Sequence, residues 1–132
     1  MKSSNWTINR SAMIFSSKSK RINQIKESII NLSPIEIFPN LIININSENL
    51  LAKHLHYMIS RNLNGIFHHG SKDLINHEEL IKNIIEKLNF KQVNYKYVYT
   101  TNNNRYLSLL SNKNSFPKHL NFSFDSILEK IQ

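Results

Sequence analysis

Six histidines, five tyrosines and nine carboxylates are the side chains of this 132-residue chain that could move protons or hold a metal. Their spacing limits what they can do. Two histidines share a zinc ion on a helix when they stand four residues apart. His54 and His56 are two apart and leave a helix in different directions, while the adjacent His68 and His69 point to opposite faces of a strand. No metal site is expected: His68 reads as the ring facing the core, and His77 as a residue of a first helical turn. With no cysteine there is no thiolate nucleophile, no Cys-ligated metal and no disulfide. Asp73, Asp125 and the glutamates read as turn and cap residues rather than as a paired general acid and base. The chain has two glycines, Gly65 and Gly70. A dinucleotide-binding loop needs about three, closely spaced between a strand and a helix, so that backbone can approach the pyrophosphate. No catalytic residue is assigned.

The cations give the more useful signal. Lys and Arg number 17 against 9 Asp and Glu, for a net charge of +8. Such a balance suits nucleic acid, an acidic membrane surface or a phosphorylated ligand. The charges are scattered, with the densest cluster at Lys18, Lys20 and Arg21. Tyr95, Tyr97 and Tyr99 alternate as base-stacking residues would, but few cations surround them, so nucleic acid is not the expected partner. No apolar run approaches the roughly 20 residues of a membrane span, and the first residues, M-K-S-S-N-W-T-I-N-R, lack a signal-peptide core. A cytoplasmic location is expected.

The elements that must position these groups alternate along the chain. Residues 6–15 begin as a strand. Ile22, Ile25, Ile29 and Leu32 fall on one helical face, stopped by Ser33-Pro34. Residues 35–38 and 41–45 are short β-rich runs around a Pro39-Asn40 turn. Asn46 or Ser47 caps a helix carrying Leu51, Leu55, Met58 and Ile59 inward, and Asn64-Gly65 ends it. Residues 66–68 form a strand. Asn76 caps the next helix, with Glu79 returning the bond and Ile75 and Leu80 as a hydrophobic staple. Its stripe is Leu80, Ile81, Ile84, Ile85 and Leu88. Val93, Tyr95, Tyr97 and Tyr99 form a half-exposed strand, residues 100–105 a loop, and a short helix follows Ser123. These elements specify one α/β domain, residues 1–132, with a small mixed sheet and about four helices.

The order of these elements carries a resemblance. N-G-I-F-H-H-G-S-K-D-L-I-N-H-E-E-L-I-K-N-I-I-E-K-L-N-F at residues 64–90, followed by F-P-K-H-L-N-F-S at 116–123, resembles the end of an extended short-chain dehydrogenase/reductase acting on sugar nucleotides. The dTDP-4-dehydrorhamnose reductase type is the nearest. W-T-I-N-R-S-A-M-I-F resembles the strand after that family's catalytic helix, residues 20–32 its first substrate-domain helix, and Asn49-Leu50-Leu51-Ala52 its Asp-Leu-Ala-like signal. Two departures concern the sugar: P-N-L-I-I-N-I-N replaces an acidic-Gln-x-Gly-x-Pro stretch, and Ser16 or Ser17 replaces a glycine.

The resemblance implies a substrate-side half that lacks its cofactor half. The family's Tyr-x-x-x-Lys pair is absent, Tyr57 with Arg61 being the nearest approach. An Arg cannot share protons near neutral pH. NAD(P) is implied for a complete family enzyme and is not expected to bind tightly here. By the same resemblance Ser11, Ala12 and Met13 lie on the cofactor side, and Arg10, Lys20, Arg21 and Asn23 on the sugar-nucleotide side. The implied function is sugar-nucleotide binding without catalysis by this chain alone, and the alternative is a protein-interaction module that kept the fold and lost the ligand. The strand 6–15, with Trp6, Ile8, Ala12, Ile14 and Phe15, is expected to offer an apolar face for self-association or for a Rossmann-type partner chain.

Overall fold

The segment 6–15 forms two strands because it changes partner half-way. The computed structural model describes residues 6–100, 102–108 and 116–131. In it, β1 (Thr7–Ser11) runs parallel to β6 (Gly65–His69), whereas β2 (Met13–Ile14) runs parallel to β5 (Ile45–Asn46). The exchange happens at Ala12, whose N–H still donates to the His69 carbonyl at 2.8 Å. Three residues later Phe15 N–H donates to Asn46 at 2.9 Å. Gly70 sits at this fork. A Cβ there would stand 2.5 Å from Asn44 Nδ2 and 2.9 Å from Ala12 Cβ, distances that only glycine avoids. A fork leaves buried backbone groups without ladder partners, and these must be satisfied some other way. Ser71 and two asparagines do it. Ser71 Oγ accepts from Ile45 N–H at 3.1 Å, Asn44 Nδ2 donates to the Ser71 carbonyl at 3.1 Å, and Asn46 Oδ1 accepts the Ser47 N–H at 2.9 Å while its Nδ2 donates to Ser11 Oγ at 2.9 Å. Asn44, Asn46 and Ser71 are all buried.

The rest of the sheet is equally fragmented. β3 (Ile35–Ile37) pairs parallel with β8 (Tyr95–Tyr97), and β4 (Leu41–Ile43) lies between the antiparallel β7 (Ile75–Asn76) and the parallel β9 (Arg105–Leu107). The expected mixed sheet is therefore three two-stranded ladders and one three-stranded ladder. Four α-helices pack with it: α1 (Lys20–Ile30), α2 (Glu48–Ser60), α3 (His77–Lys87) and α4 (Phe124–Leu128), with a 3-10 turn at Lys118–Leu120. The main core gathers Ile22, Ile37, Ile43, Ile45, Leu80 and Ile84, all fully buried. A smaller cluster joins Met58 and Phe67 to Phe116 and Leu120 from the C-terminal segment.

The starts of α2, α3 and α4 follow the sequence signals, and Ser19, not singled out there, starts α1. Ser19, Ser47, Asn76 and Ser123 are the N-caps, each side chain accepting a backbone N–H of the first turn. Ser47 rather than Asn46 caps α2, since Asn46 is committed to the fork. Asn76 accepts from Glu78 N–H at 2.8 Å and both staple residues, Ile75 and Leu80, are buried, but among the described residues Glu79 does not return the expected bond.

The helix ends correct three expectations. Helices α1, α2 and α3 all finish with a residue in the left-handed region: Leu32 (φ 57°), Asn62 (φ 53°) and Asn89 (φ 60°). In each, the next N–H reaches back to a carbonyl five residues earlier: Ser33 to Ser28, Leu63 to Met58 and Phe90 to Ile85. Leu32 is thus the reversal residue of α1, 79% exposed, and not part of its buried stripe. Asn62, not Asn64-Gly65, closes α2, while Gly65 (φ 121°) opens β6. On α2 the buried line is Leu50, His54 and Met58, which turns Ile59 out to 79% exposure. His54 hides this stripe in the sequence because its type reads as polar.

Leu32 supplies a stability prediction. A left-handed conformation costs an L-residue roughly 1–2 kcal/mol, and glycine escapes most of that cost at some expense in chain entropy. Leu32→Gly should therefore stabilise the chain by about 0.5–1 kcal/mol, seen as a higher urea midpoint at unchanged slope.

Candidate functional site

The parallel strands β2 and β5 end side by side, and each runs on into a helix, β2 into α1 and β5 into α2. The N-terminal ends of both helices therefore border one edge of the sheet, beyond the carboxyl ends of its strands. Open α/β sheets take ligands at that place. A groove of about 610 Å³ lies there, lined by Met13, Ile14, Lys18, Ser19, Lys20, Arg21, Gln24 and Glu48.

Its electrostatics are unusual for a helix start. Unsatisfied N–H groups make a helix N-terminus positive, so stability favours acidic residues in the first turn. The first turn of α1 has no acidic residue and carries Lys20 and Arg21 instead, with Lys18 just before the cap. None of the three is in an ion pair, since Lys82 with Glu78 at 3.2 Å is the one pair among the described residues. Glu48, in the first turn of α2, is the single carboxylate in the lining.

Arg21, Gln24 and Met13 also line a second recess of about 420 Å³, which extends the groove between α1, β3 and α3. Its wall is apolar at Phe15, Ile25, Ile35 and Leu41, and polar at Ser28, Glu36 and His77. His77 Nδ1 accepts the Phe38 N–H at 3.1 Å. Burial first, and then the nearby Arg21 charge, hold its pKa below the ordinary 6.5.

The structure brings together some of the residues singled out in the sequence. Met13, Lys20 and Arg21 share the groove. Arg10 is exposed on β1 opposite His68, and Asn23 is exposed on α1, both outside the groove lining. The Ser11 hydroxyl is held between Asn46 and the Ala12 carbonyl, and Ala12 is buried. Gln24, Glu48 and His77 were not legible as neighbours of Arg21, because strand pairing and helix packing alone make them so.

No family profile and no curated protein matches the sequence. Solved structures match the fold. A dTDP-4-dehydrorhamnose reductase from Bacillus anthracis, in complex with NADP, superposes with a TM-score of 0.77 at 18% identity, over 95% of this chain and 47% of its own. The fold is similar to that of part of this reductase chain. The enzyme WbmH of Bordetella bronchiseptica, in complex with NAD+, gives 0.67 at 11% identity over 95% and 43% of the two chains. A UDP-N-acetylglucosamine 4-epimerase from Methanobrevibacter ruminantium, in complex with UDP-N-acetylmuramic acid, gives 0.61 at 14% over 92% and 39%. The chain thus spans under half the length of these reductases and epimerases.

The residues present do not fit the dinucleotide that NAD(P)-dependent reductases use. Gly65 opens β6, and Gly70 fills the strand fork against Asn44 and Ala12, so neither frees backbone at a helix N-terminus for a pyrophosphate.

A second cluster of titratable groups lies inside the protein, where the sequence placed His68. The register of β6 instead buries His69 completely, and His54 comes to meet it from α2. Their Nδ1 atoms are 3.1 Å apart. His54 Nε2 donates to the Leu120 carbonyl at 2.7 Å, which leaves its Nδ1 as acceptor for the His69 N–H. The Asn9 amide lies 2.8 Å from His69 Nε2 and, turned to present its NH2, completes the chain. Phe116 stacks on His54 at 4.0 Å between centroids. The pair thus ties the C-terminal segment to α2 and β6.

Burial, and then repulsion from His54 and His68, lowers the His69 pKa to about 4, while burial lowers that of His54. A depressed histidine pKa means that unfolded chain takes up protons before folded chain does. The stability it contributes is complete above about pH 6.5 and is lost as pH falls toward 4. For His69 that shift corresponds to roughly 3 kcal/mol. Urea unfolding at several pH values should show this decline, and His69→Gln should flatten it while lowering stability at pH 7.5.

Proposed function

We propose that this chain binds an anionic sugar nucleotide in the groove at the starts of α1 and α2, with the phosphates at Lys18, Lys20 and Arg21. The observation that carries this reading is the set of cations at the positive end of α1, where the helix disfavours them and no carboxylate pairs with them. An anion supplied from solution relieves that repulsion. It receives the helix N–H groups and a guanidinium whose planar fork suits phosphate oxygens. The kinship in fold with reductases and epimerases of sugar nucleotides supports the ligand class. Arg10 and Asn23, outside the lining, are assigned no phosphate contact. The chain alone performs no hydride transfer in this reading, since it has neither a dinucleotide cradle nor a Tyr-x-x-x-Lys pair.

Calorimetric titration with UDP-glucose and dTDP-glucose tests the reading. Arg21→Ala should weaken binding about ten- to a hundredfold, the worth of charge-assisted hydrogen bonds, and Lys20→Ala should weaken it less. Raising salt should weaken it further, because the contact is electrostatic. NADH and NADPH should give no heat of binding in the low micromolar range. Equal affinity of wild type and the Lys20→Ala/Arg21→Ala double variant would remove the basis of the reading.

One observation favours the alternative reading, a protein-interaction module that kept the fold and lost the ligand. Trp6, Ile8 and Ile66 lie 50%, 45% and 43% exposed, and Ile8 and Ile66 are direct neighbours in the β1–β6 ladder. Of the expected apolar face, Ala12 and Phe15 are instead buried within the domain and Ile14 is half-buried, because β2 belongs to the fork rather than to the outer ladder. An exposed aromatic and aliphatic face on a two-stranded ladder is suited to association. The chain should self-associate through it, or bind a Rossmann-type partner, with little dependence on salt. Sedimentation at rising concentration should show dimers that Trp6→Ser/Ile8→Ser abolishes. A monomer at all concentrations and without a partner would reject it.

A further inference from the structure

As at His54, the backbone sets the tautomer of His77, here through an N–H rather than a carbonyl. It is the first residue of α3, and its Nδ1 lies 3.1 Å from the Phe38 N–H. A backbone N–H can only donate, so Nδ1 must be bare, and the proton of the neutral ring must sit on Nε2. The Phe38 ring meets the imidazole edge-on, with centroids 5.3 Å apart and planes at 68°, which fixes the ring's tilt as well. Among the described residues nothing accepts from Nε2. The ring stands in the wall of the 420 Å³ recess that shares Arg21 and Gln24 with the cationic groove. The recess therefore presents an oriented, uncharged hydrogen-bond donor in a wall of mixed polarity that also holds Ser28 and Glu36, next to the cations at the start of α1. A preorganised donor of this kind discriminates strongly, because a ligand lacking the acceptor must leave it unpaired.

We propose that His77 is a specificity-determining residue of this groove: its Nε2–H donates to a carbonyl or hydroxyl oxygen on an uncharged ring of the ligand, next to the phosphates held at Lys20 and Arg21. The inference rests on the sugar-nucleotide reading for its ligand but not for its tautomer. It selects rings with an oxygen acceptor on that side, whether the ring is a nucleobase or a sugar.

Two measurements test it. Nitrogen-15 NMR of the full chain without ligand should show His77 with a bare Nδ1 and a protonated Nε2, and the opposite tautomer would overturn the proposal at its origin. Titrations with UDP-glucose, UDP and glucose 1-phosphate then compare wild type with His77→Phe, which removes the donor, and His77→Gln, which can keep both an acceptor for Phe38 and a donor. His77→Phe should weaken UDP-glucose binding about tenfold, and His77→Gln less than threefold. The same tenfold loss with UDP assigns the contact to the base, and with glucose 1-phosphate to the sugar; both support the proposal. Unchanged affinity in His77→Phe overturns the proposal and leaves the sugar-nucleotide reading standing. Failure of wild type to bind any of the three probes overturns both. Should His77→Phe not fold, the His77 Nε2 proton resonance of wild type must still shift on addition of UDP-glucose, and a resonance that stays fixed at saturation overturns the proposal.

Discussion

The side chains of Asn44 and Ala12 approach Gly70 more closely than a Cβ there would permit, and the layout of the molecule depends on that contact. Because Gly70 fits against Asn44 and Ala12, the first strand can leave β6 and join β5. That exchange places the ends of β2 and β5 together, and with them the starts of α1 and α2. The groove is a product of the fork. The buried polar residues around it, Asn44, Asn46 and Ser71, satisfy the backbone that the fork would otherwise leave unpaired. Their hydrogen bonds also fix the geometry of the strand ends.

The helices were legible because their information is local. Ser47, Asn76 and Ser123 announce starts, and four of the five residues of the α3 stripe are buried, with Leu88 partly so at the helix end. Where a helix carries a functional-looking residue on its buried face, the signal breaks. His54 on α2 belongs to the core, yet its type pointed elsewhere, so the stripe was read one position too far toward Ile59. Leu32 misled for a related reason: its apolar side chain fits the period of α1, while its backbone already reverses the chain. Nothing local marks a leucine as a left-handed residue, since asparagine or glycine normally takes that role.

The site was legible in its cations and not in its frame. Lys18, Lys20 and Arg21 stand out as the densest basic cluster, whereas Ser19, the cap of the helix start that gives them meaning, was not singled out in the sequence. Glu48 and His77 enter through β5 and α3, elements far away in the chain whose neighbours only the sheet decides. The same limit applies inside the protein. Which of two adjacent histidines faces inward depends on the register of β6 against β1, and a shift of one residue exchanges them. The partner of His69 then comes from a helix, and its anchor, the Leu120 carbonyl, from the C-terminal segment.

One property of the sheet bears on how the chain reaches this structure. Every ladder joins strands that are not neighbours in the sequence: β1 with β6, β2 with β5, β3 with β8, and β4 with β7 and β9. Among the described residues there is no hairpin from which pairing could start. Each strand contact requires a long loop to close before any ladder bond repays it, a cost in entropy that slows folding. The helices, with their complete caps, can form early, and the ladders must wait for them to pack. Until then the apolar strand segments stay unpaired, so the nascent chain carries its greatest exposure to aggregation in the interval before Gly70 finds its place.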